Sequence, residues 1–423
     1  MYTNLSYYYL GTSLLEKNDI KQAIENLTKA IDSRKKVKES TNDSKLDQAK
    51  YETSIGICYS RLNNHKTAIT HLTNGLNLRK QYFEGKGNHL LMAESLNYIG
   101  NEYYDIADYK TALEFYDKTF KMRKNILGEY HPEIATCYHN IGATNDALGN
   151  HEKAVSSYEK ALTVLWKLDL EDTAEIARTY NNLGETYNRL GDYNKSLELH
   201  YKSLRIYREI HGDVHPILIK NLLGIANSLL STNDIDKAKL YYEDSLNMTI
   251  HIYGESANIL EIGKAFSGLG NVFLEQGDLK KALEFHKKGI GIFVELNEDS
   301  IQTQTDQKEV KDENTGLFNL EIAMEKNNIG KIYEKASDFV EAIKYYEDSL
   351  NIRKKILGGF HPEIINSLKN LASINEKLGQ KGKAFELLQE TLVIRRKFYG
   401  EDHALVASTL KKLAELSEKQ AKT

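Results

Sequence analysis

The sequence predicts an all-α solenoid of about nine helical hairpins closed by one further helix at the C-terminus. Three observations carry that prediction. A small residue behind a large apolar one recurs along the 423 residues at a spacing close to 42. A period of this length marks supersecondary units that bury their apolar faces only by stacking on one another. Further small residues follow each marker at fixed distances, which lets two helices approach closely while Leu, Ile, Tyr and Phe fill the groove between them. Proline occurs only at Pro132, Pro216 and Pro362, a scarcity that suits helix throughout.

In chain order the marker reads Leu10-Gly11, Ile55-Gly56, Ile99-Gly100, Ile141-Gly142, Leu183-Gly184, Ile225-Ala226, Leu269-Gly270, Ile329-Gly330, Leu371-Ala372 and Leu413-Ala414. Successive small residues are 45, 44, 42, 42, 42, 44, 60, 42 and 42 positions apart. Twelve positions behind the marker comes a second small residue, such as Ala23, Ala68, Ala112 or Ala342, and seven further a third, such as Ala30 or Ser349. Breakers such as Leu190-Gly191-Asp192 and Gln276-Gly277-Asp278 lie between, as a helix–turn–helix unit requires. Tyr116, Tyr158, Tyr242 and Tyr346 share one second-helix phase and are expected in the core. The 60-residue interval holds a polar run, read as an insertion loop at 298–314. The expected organisation is therefore repeats 1–7 over 1–297, the loop, and repeats 8–9 with a capping helix of about Leu405 to Lys419 over 315–423, in one continuous solenoid.

Composition narrows the function classes. Lys+Arg of 56 against Asp+Glu of 60 gives a net charge of −4, without the basic footprint of a nucleic-acid binder. Cys58 and Cys137 form no CxxC pair, which points to a reducing compartment without disulfides or a zinc site. The N-terminus shows no signal peptide and no apolar run approaches a membrane span. A cytoplasmic protein is expected. GxxxxGK[ST], GxGxxG, HExxH and GxSxG are all missing, so no enzyme activity, cofactor or metal is expected.

Histidines tempt toward chemistry, but their phase argues for punctuation. His89, His131, His215, His361 and His403 each lie 11 residues before a marker, three of them followed by proline. Gly128, Gly212, Gly358 and Gly400 stand three residues ahead of four of them. The glycine suits a left-handed helix end and the proline a first helical turn. Trp166 precedes a linker, Leu168 to Thr173, that lacks both.

Stretches such as Tyr180-Asn181-Asn182-Leu183-Gly184, and Ile126-Leu127-Gly128 running through His131-Pro132 to Ala135, resemble the tetratricopeptide repeat. The match is to the 42-residue form of kinesin light chain and nephrocystin, over essentially the whole chain. The resemblance implies a right-handed superhelix whose first helices line a concave groove. It also implies a non-catalytic scaffold that binds an extended or helical segment of a partner protein, as a kinesin light chain-like cargo or cytoskeletal adaptor. The alternatives are a peptide-sensing regulatory module, or a fragment of a larger multidomain signalling protein, since the repeats begin at about Asn4.

Asparagine recurs near the first-helix centre: Asn97, Asn101, Asn140, Asn181, Asn182, Asn227, Asn271, Asn327, Asn328 and Asn370 lie from three before to one after the marker. Asparagine is a mediocre helix former. Its recurrence fits either hydrogen bonding between repeats or pairing with the backbone of a bound peptide, the role such residues have in kinesin light chains. Charge on the same face is uneven. Glu94, Asp105 and Asp146 come early, whereas Arg178, Arg189, Lys220, Lys264, Lys331, Lys335, Lys369, Lys377 and Lys411 follow, interrupted by Glu185, Glu275, Glu334 and Glu376. A basic C-terminal half favours an acidic partner segment. The expected peptide-binding set is those ten asparagines with Arg178, Arg189, Lys220, Lys331 and Lys369.

Overall fold

A computed structural model describes residues 4–35, 42–85, 87–255, 257, 259–305, 314–361 and 363–421. Among these residues there are 19 α-helices and no strand. The chain divides into two compact units, Met1–Ile210 and His211–Thr423. The first holds the hairpins α1 (Asn4–Glu16) with α2 (Ile20–Lys35), α3 (Asn42–Arg61) with α4 (His65–Tyr82), and α5 (Leu90–Asp105) with α6 (Tyr109–Leu127). It continues through α7 (Pro132–Ala147) with α8 (His151–Trp166), and α9 (Ala174–Leu190) with α10 (Tyr193–His211). The second holds α11 (Pro216–Ser231) with α12 (Ile235–Tyr253), α13 (Leu260–Glu275) with α14 (Leu279–Thr305), and α15 (Asn314–Lys335) with α16 (Phe339–Leu357). It ends with α17 (Ile364–Lys377), α18 (Lys381–Tyr399) and α19 (Ala404–Ala421). Nine hairpins and a terminal helix thus stand where the period placed them.

The marker glycine has a steric cause. Sixteen residues behind it, on the second helix, lies Leu27, Leu72, Tyr116, Tyr158, His200, Tyr242, His286 or Tyr346, and that side chain covers the glycine. A Cβ on Gly142 would stand 2.8 Å from the Tyr158 ring, and one on Gly330 would stand 2.6 Å from Tyr346. The four tyrosines are 0–4% exposed, as the packing phase required. The hairpin carrying Ala226 instead of glycine finds its room elsewhere. Tyr242 leans toward Gly268 of the next hairpin, where any Cβ would overlap its ring.

Both kinds of turn follow one rule each. Seven residues behind each marker the backbone enters the left-handed region, at Asn18, Asn63, Ala107, Gly149, Gly191, Asn233, Gly277, Ser337 and Gly379. The next residue caps the second helix: Asn64, Asp108 and Asp338, for example, accept from the amides of Thr67, Thr111 and Glu341. Between hairpins, Gly128, Gly212, Gly358 and Gly400 have φ of 74–82°. All five histidines sit at this boundary, and the Nδ1 of each accepts from the backbone N–H two residues on at 3.1–3.3 Å; His89, His131 and His215 are the N-caps of α5, α7 and α11. Pro132 and Pro216 occupy the first helical position, and Pro362 lies outside the described residues. The linker after Trp166 does the same work differently, with Asp169 left-handed and Thr173 capping α9.

One boundary differs from expectation. Helix α14 runs on to Thr305 and α15 begins at Asn314, so the first half of the polar insertion prolongs a helix instead of leaving it. Residues 306–313 lie outside the described residues. Cys58 and Cys137 are free and buried. Burial pushes the Cys58 thiol up to about 11 and raises that of Cys137. No helix among the described residues is long and apolar enough to cross a membrane.

Candidate functional site

Most of the first-helix asparagines face another protein group. Asn140 Nδ2 donates to Asn97 Oδ1 at 3.2 Å, and Asn370 Nδ2 donates to Asn327 Oδ1 at 2.9 Å. Asn182 Nδ2 donates in the same register to His139 Nε2 at 3.3 Å. Each bond joins residues 43 apart, so these are rungs between adjacent repeats. The ladder lapses where glycine takes the donor position, at Gly224 and Gly268. Asn181 there turns to His200 Nδ1 at 3.1 Å instead. Asn101 and Asn227 accept from Tyr116 and Tyr242 hydroxyls at 2.8 and 2.6 Å. Asn327 and Asn328 are only 6% and 7% exposed. Repeat-to-repeat bonding therefore explains much of the asparagine pattern.

His139 shows how strongly the ladder constrains its members. Its ring accepts from Asn182 and donates through Nδ1–H to Thr179 Oγ1 at 3.1 Å, so the neutral tautomer is the one that fits. Burial first, and then the Arg178 charge, hold its pKa down at about 3. A second ladder is ionic. Arg189 pairs with Asp146, and Lys377 with Glu334 at 2.7 Å, again 43 residues apart.

What remains accessible is a stripe on the second unit. Six positions before the marker stand Lys220 on α11 and Lys264 on α13; one position after it stand Asn227, Asn271 and Lys331 on α11, α13 and α15. These two positions are seven residues apart, two helical turns, and so share a face. Lys369 of α17 lies on the same stripe, between the two phases. Lys220, Asn227, Lys264, Lys331 and Lys369 are exposed and Asn271 is half-buried. Adjacent first helices touch from α11 to α13 and from α13 to α15. Lys264 reaches Glu321 at 3.8 Å; among the described residues no carboxylate pairs with Lys220, Lys331 or Lys369. Lys331 is open to solvent yet walled by protein, which together with Arg353 lowers its pKa. In the first unit the corresponding face is mixed, with Glu94 beside the buried Arg79 and Arg178 exposed.

Two features escaped the sequence reading. Arg79, Arg123, Arg353 and Arg395 stand 23 residues behind a marker, nearly buried, and each points a guanidinium at the next first helix. Their Nη1 atoms meet Ser95 Oγ at 2.7 Å, Cys137 Sγ at 3.5 Å, Ser367 Oγ at 2.6 Å and Thr409 Oγ1 at 2.6 Å. The arginine phase was present in the sequence and would have shown them. The second feature is a cluster of His65, Glu102 and Asp105, whose ligand atoms lie within 4.8 Å of one another. His65 and Glu102 are 37 residues apart, outside any local motif.

A search of curated protein sequences finds no match. Among solved structures the chain is similar to the apo form of RapI, at 16% identity and a TM-score of 0.55, over 70% of this chain and 99% of that one. It is similar also to a Rap protein complexed with Competence and Sporulation Factor, at 15% identity and a TM-score of 0.52, over 89% and 99% of the two chains. BtubC (BKLC) from P. vanneervenii aligns at 17% identity over 61% of this chain and 93% of that one, with a TM-score of only 0.44. These likenesses concern the fold. Family models described as tetratricopeptide repeat match residues 91–165, 175–250 and 321–397, and a further one matches residues 5–36. The chain belongs to the tetratricopeptide repeat family.

Proposed function

We propose that the protein is a non-catalytic scaffold whose first-helix face captures an extended or helical segment of a partner protein. The observation that supports this reading is the stripe of Lys220, Asn227, Asn271, Lys331 and Lys369. The lysines at these phases stand exposed without carboxylate partners among the described residues, unlike the asparagines of the ladder. Asn227 spends its Oδ1 on Tyr242, so its amide protons are directed to a ligand carbonyl. Lysines without carboxylate partners favour a segment carrying Asp or Glu beside an apolar anchor. The resemblance to kinesin light chain repeats makes a cargo or cytoskeletal adaptor the first reading. A peptide-sensing regulatory module is the second, favoured by the fold-level likeness to a Rap protein that holds a bound factor. A cytosolic setting suits the two free, buried cysteines.

The test is a peptide-array screen of the full chain against acidic, neutral and basic segments, repeated with Lys220→Ala, Lys331→Ala and Lys369→Ala combined. Acidic segments should dominate the wild-type binders and weaken at least about tenfold in the triple variant. A binder set without acidic bias, or one indifferent to the three changes, removes the groove assignment. A peptide that changes the solution radius would select the regulatory reading over the adaptor.

A further inference from the structure

The cluster at the junction of the second and third hairpins departs from the repeat at two packing positions at once. Two residues behind the marker, the other first helices carry Ser13, Cys58, Thr144, Thr186, Ser228, Val272, Ile332, Ile374 or Leu416, none of them a carboxylate; α5 carries Glu102. Nine residues behind it, where most second helices start on a large apolar residue such as Ile20, Tyr109 or Phe339, α4 starts on His65. The two substitutions meet in space, with His65 Nδ1 2.9 Å from Glu102 Oε2. Asp105, at the end of α5, completes the group.

Glu102 is the informative member. Its side chain is 4% exposed, and His65 is its one side-chain partner among the described residues. A carboxylate buried to this degree is stable only when paired or coordinated, and His65 supplies one such pairing. Asp105 adds a second carboxylate to the same small volume. Asp105 is itself exposed, so an ion would have a way in from solvent.

We propose that His65, Glu102 and Asp105 form a binding site for a divalent transition-metal ion of the zinc class. One imidazole and two carboxylates suit zinc better than calcium or magnesium, which prefer all-oxygen shells of six or more ligands. Tetrahedral zinc needs donors about 3.4 Å apart, so His65 Nδ1 and Glu102 Oε2, now at hydrogen-bond distance, move slightly apart while the exposed Asp105 side chain closes by rotation. Water takes the fourth position. Nδ1 must present its lone pair to the ion, so binding either shifts the ring proton to Nε2 or releases it to solvent. The ion would tie α4 to α5, pinning the third hairpin against the second.

The experiment is calorimetric titration of the metal-free full chain with zinc chloride in two buffers of different ionisation enthalpy, with cobalt(II) absorption as a second readout. The variants are H65F, which restores the aromatic other repeats use, E102Q, and D105N, which alters only an exposed group. His151→Phe, at the same phase in the fourth hairpin, is the control for adventitious histidine binding. One zinc per chain is expected, with a tetrahedral cobalt spectrum. Affinity should fall at least about tenfold in D105N and more in H65F and E102Q, while H151F binds as wild type. Absence of a one-equivalent site in the wild type overturns the proposal. So does a site that keeps its affinity in D105N, whatever H65F and E102Q do to folding.

Discussion

Replacing Gly330 by alanine adds one methyl group where the structure has no room for it. The new Cβ would stand 2.6 Å from two ring carbons of Tyr346, a fully buried side chain whose hydroxyl is held by Glu334 Oε2 at 2.8 Å. The ring must shift, and overpacking of this kind costs about 1–3 kcal/mol. Against it stands the helix preference of alanine over glycine, about 1 kcal/mol. The net expectation is a local destabilisation of up to about 2 kcal/mol. Gly291 on α14 is the matched control, because nothing lies within 4 Å of its Cβ position. Gly291→Ala keeps the propensity gain alone, about 0.5–1 kcal/mol. Repeat arrays open hairpin by hairpin, so a global midpoint would blur the effect. Hydrogen exchange of the full chain, read by mass spectrometry on α14, α15 and α16, resolves it. Exchange in α15 and α16 should quicken by up to roughly 30-fold in Gly330→Ala, and α14 should slow in Gly291→Ala. If Gly330→Ala protects its hairpin as well as Gly291→Ala protects α14, the ring-on-glycine contact does not set the 42-residue phase.

Three further outcomes follow from the same geometry. His139 titrates at about 3 in the folded chain and at about 6.5 unfolded, so the unfolded state binds the extra proton between those values. Its contribution is whole above pH 6.5 and falls with pH, by about 3 kcal/mol at pH 4. His139→Asn, the residue found at this phase in neighbouring repeats, should flatten the pH dependence of α7 and α9 exchange across that window, and an unchanged slope would count against it. Ala107 holds a left-handed φ of 60° where most other hairpins use Asn or Gly. Ala107→Gly should therefore stabilise the third hairpin by up to about 1 kcal/mol, seen as slower exchange at the start of α6. Asn370→Ala strips the donor from the buried Asn327 Oδ1 and should cost about 1–2 kcal/mol, with faster exchange in α15 and α17.

The hairpins were legible because each needs a small residue under a large one, and that demand is written at fixed spacing. The histidine N-caps were half legible: phase revealed a boundary, but not that Nδ1 would close it. The asparagines mark where reading by phase ran short. Asn97, Asn140, Asn327 and Asn370 look alike to a ligand and to the next repeat, and only coordinates show the 43-residue rungs between them. This also changes how the groove is tested. Removing Asn327 or Asn328 strikes a nearly buried side chain, so lost binding could follow from lost packing. The exposed lysines carry no such ambiguity. The His65–Glu102–Asp105 cluster was illegible for another reason: its members come from two hairpins, and each looks like an isolated exception to the repeat.

The claim at the centre is that the first-helix face of the second unit holds a partner segment. Its most direct measurement is the hydrogen-exchange footprint of a bound acidic peptide on the full chain, compared with the variant Lys220→Glu, Lys331→Glu and Lys369→Glu combined. Protection is predicted along α11, α13, α15 and α17, with α12 and α16 unchanged, and with binding weakened at least about tenfold in the variant. A footprint on the second helices, or full affinity after all three charge reversals, would contradict it.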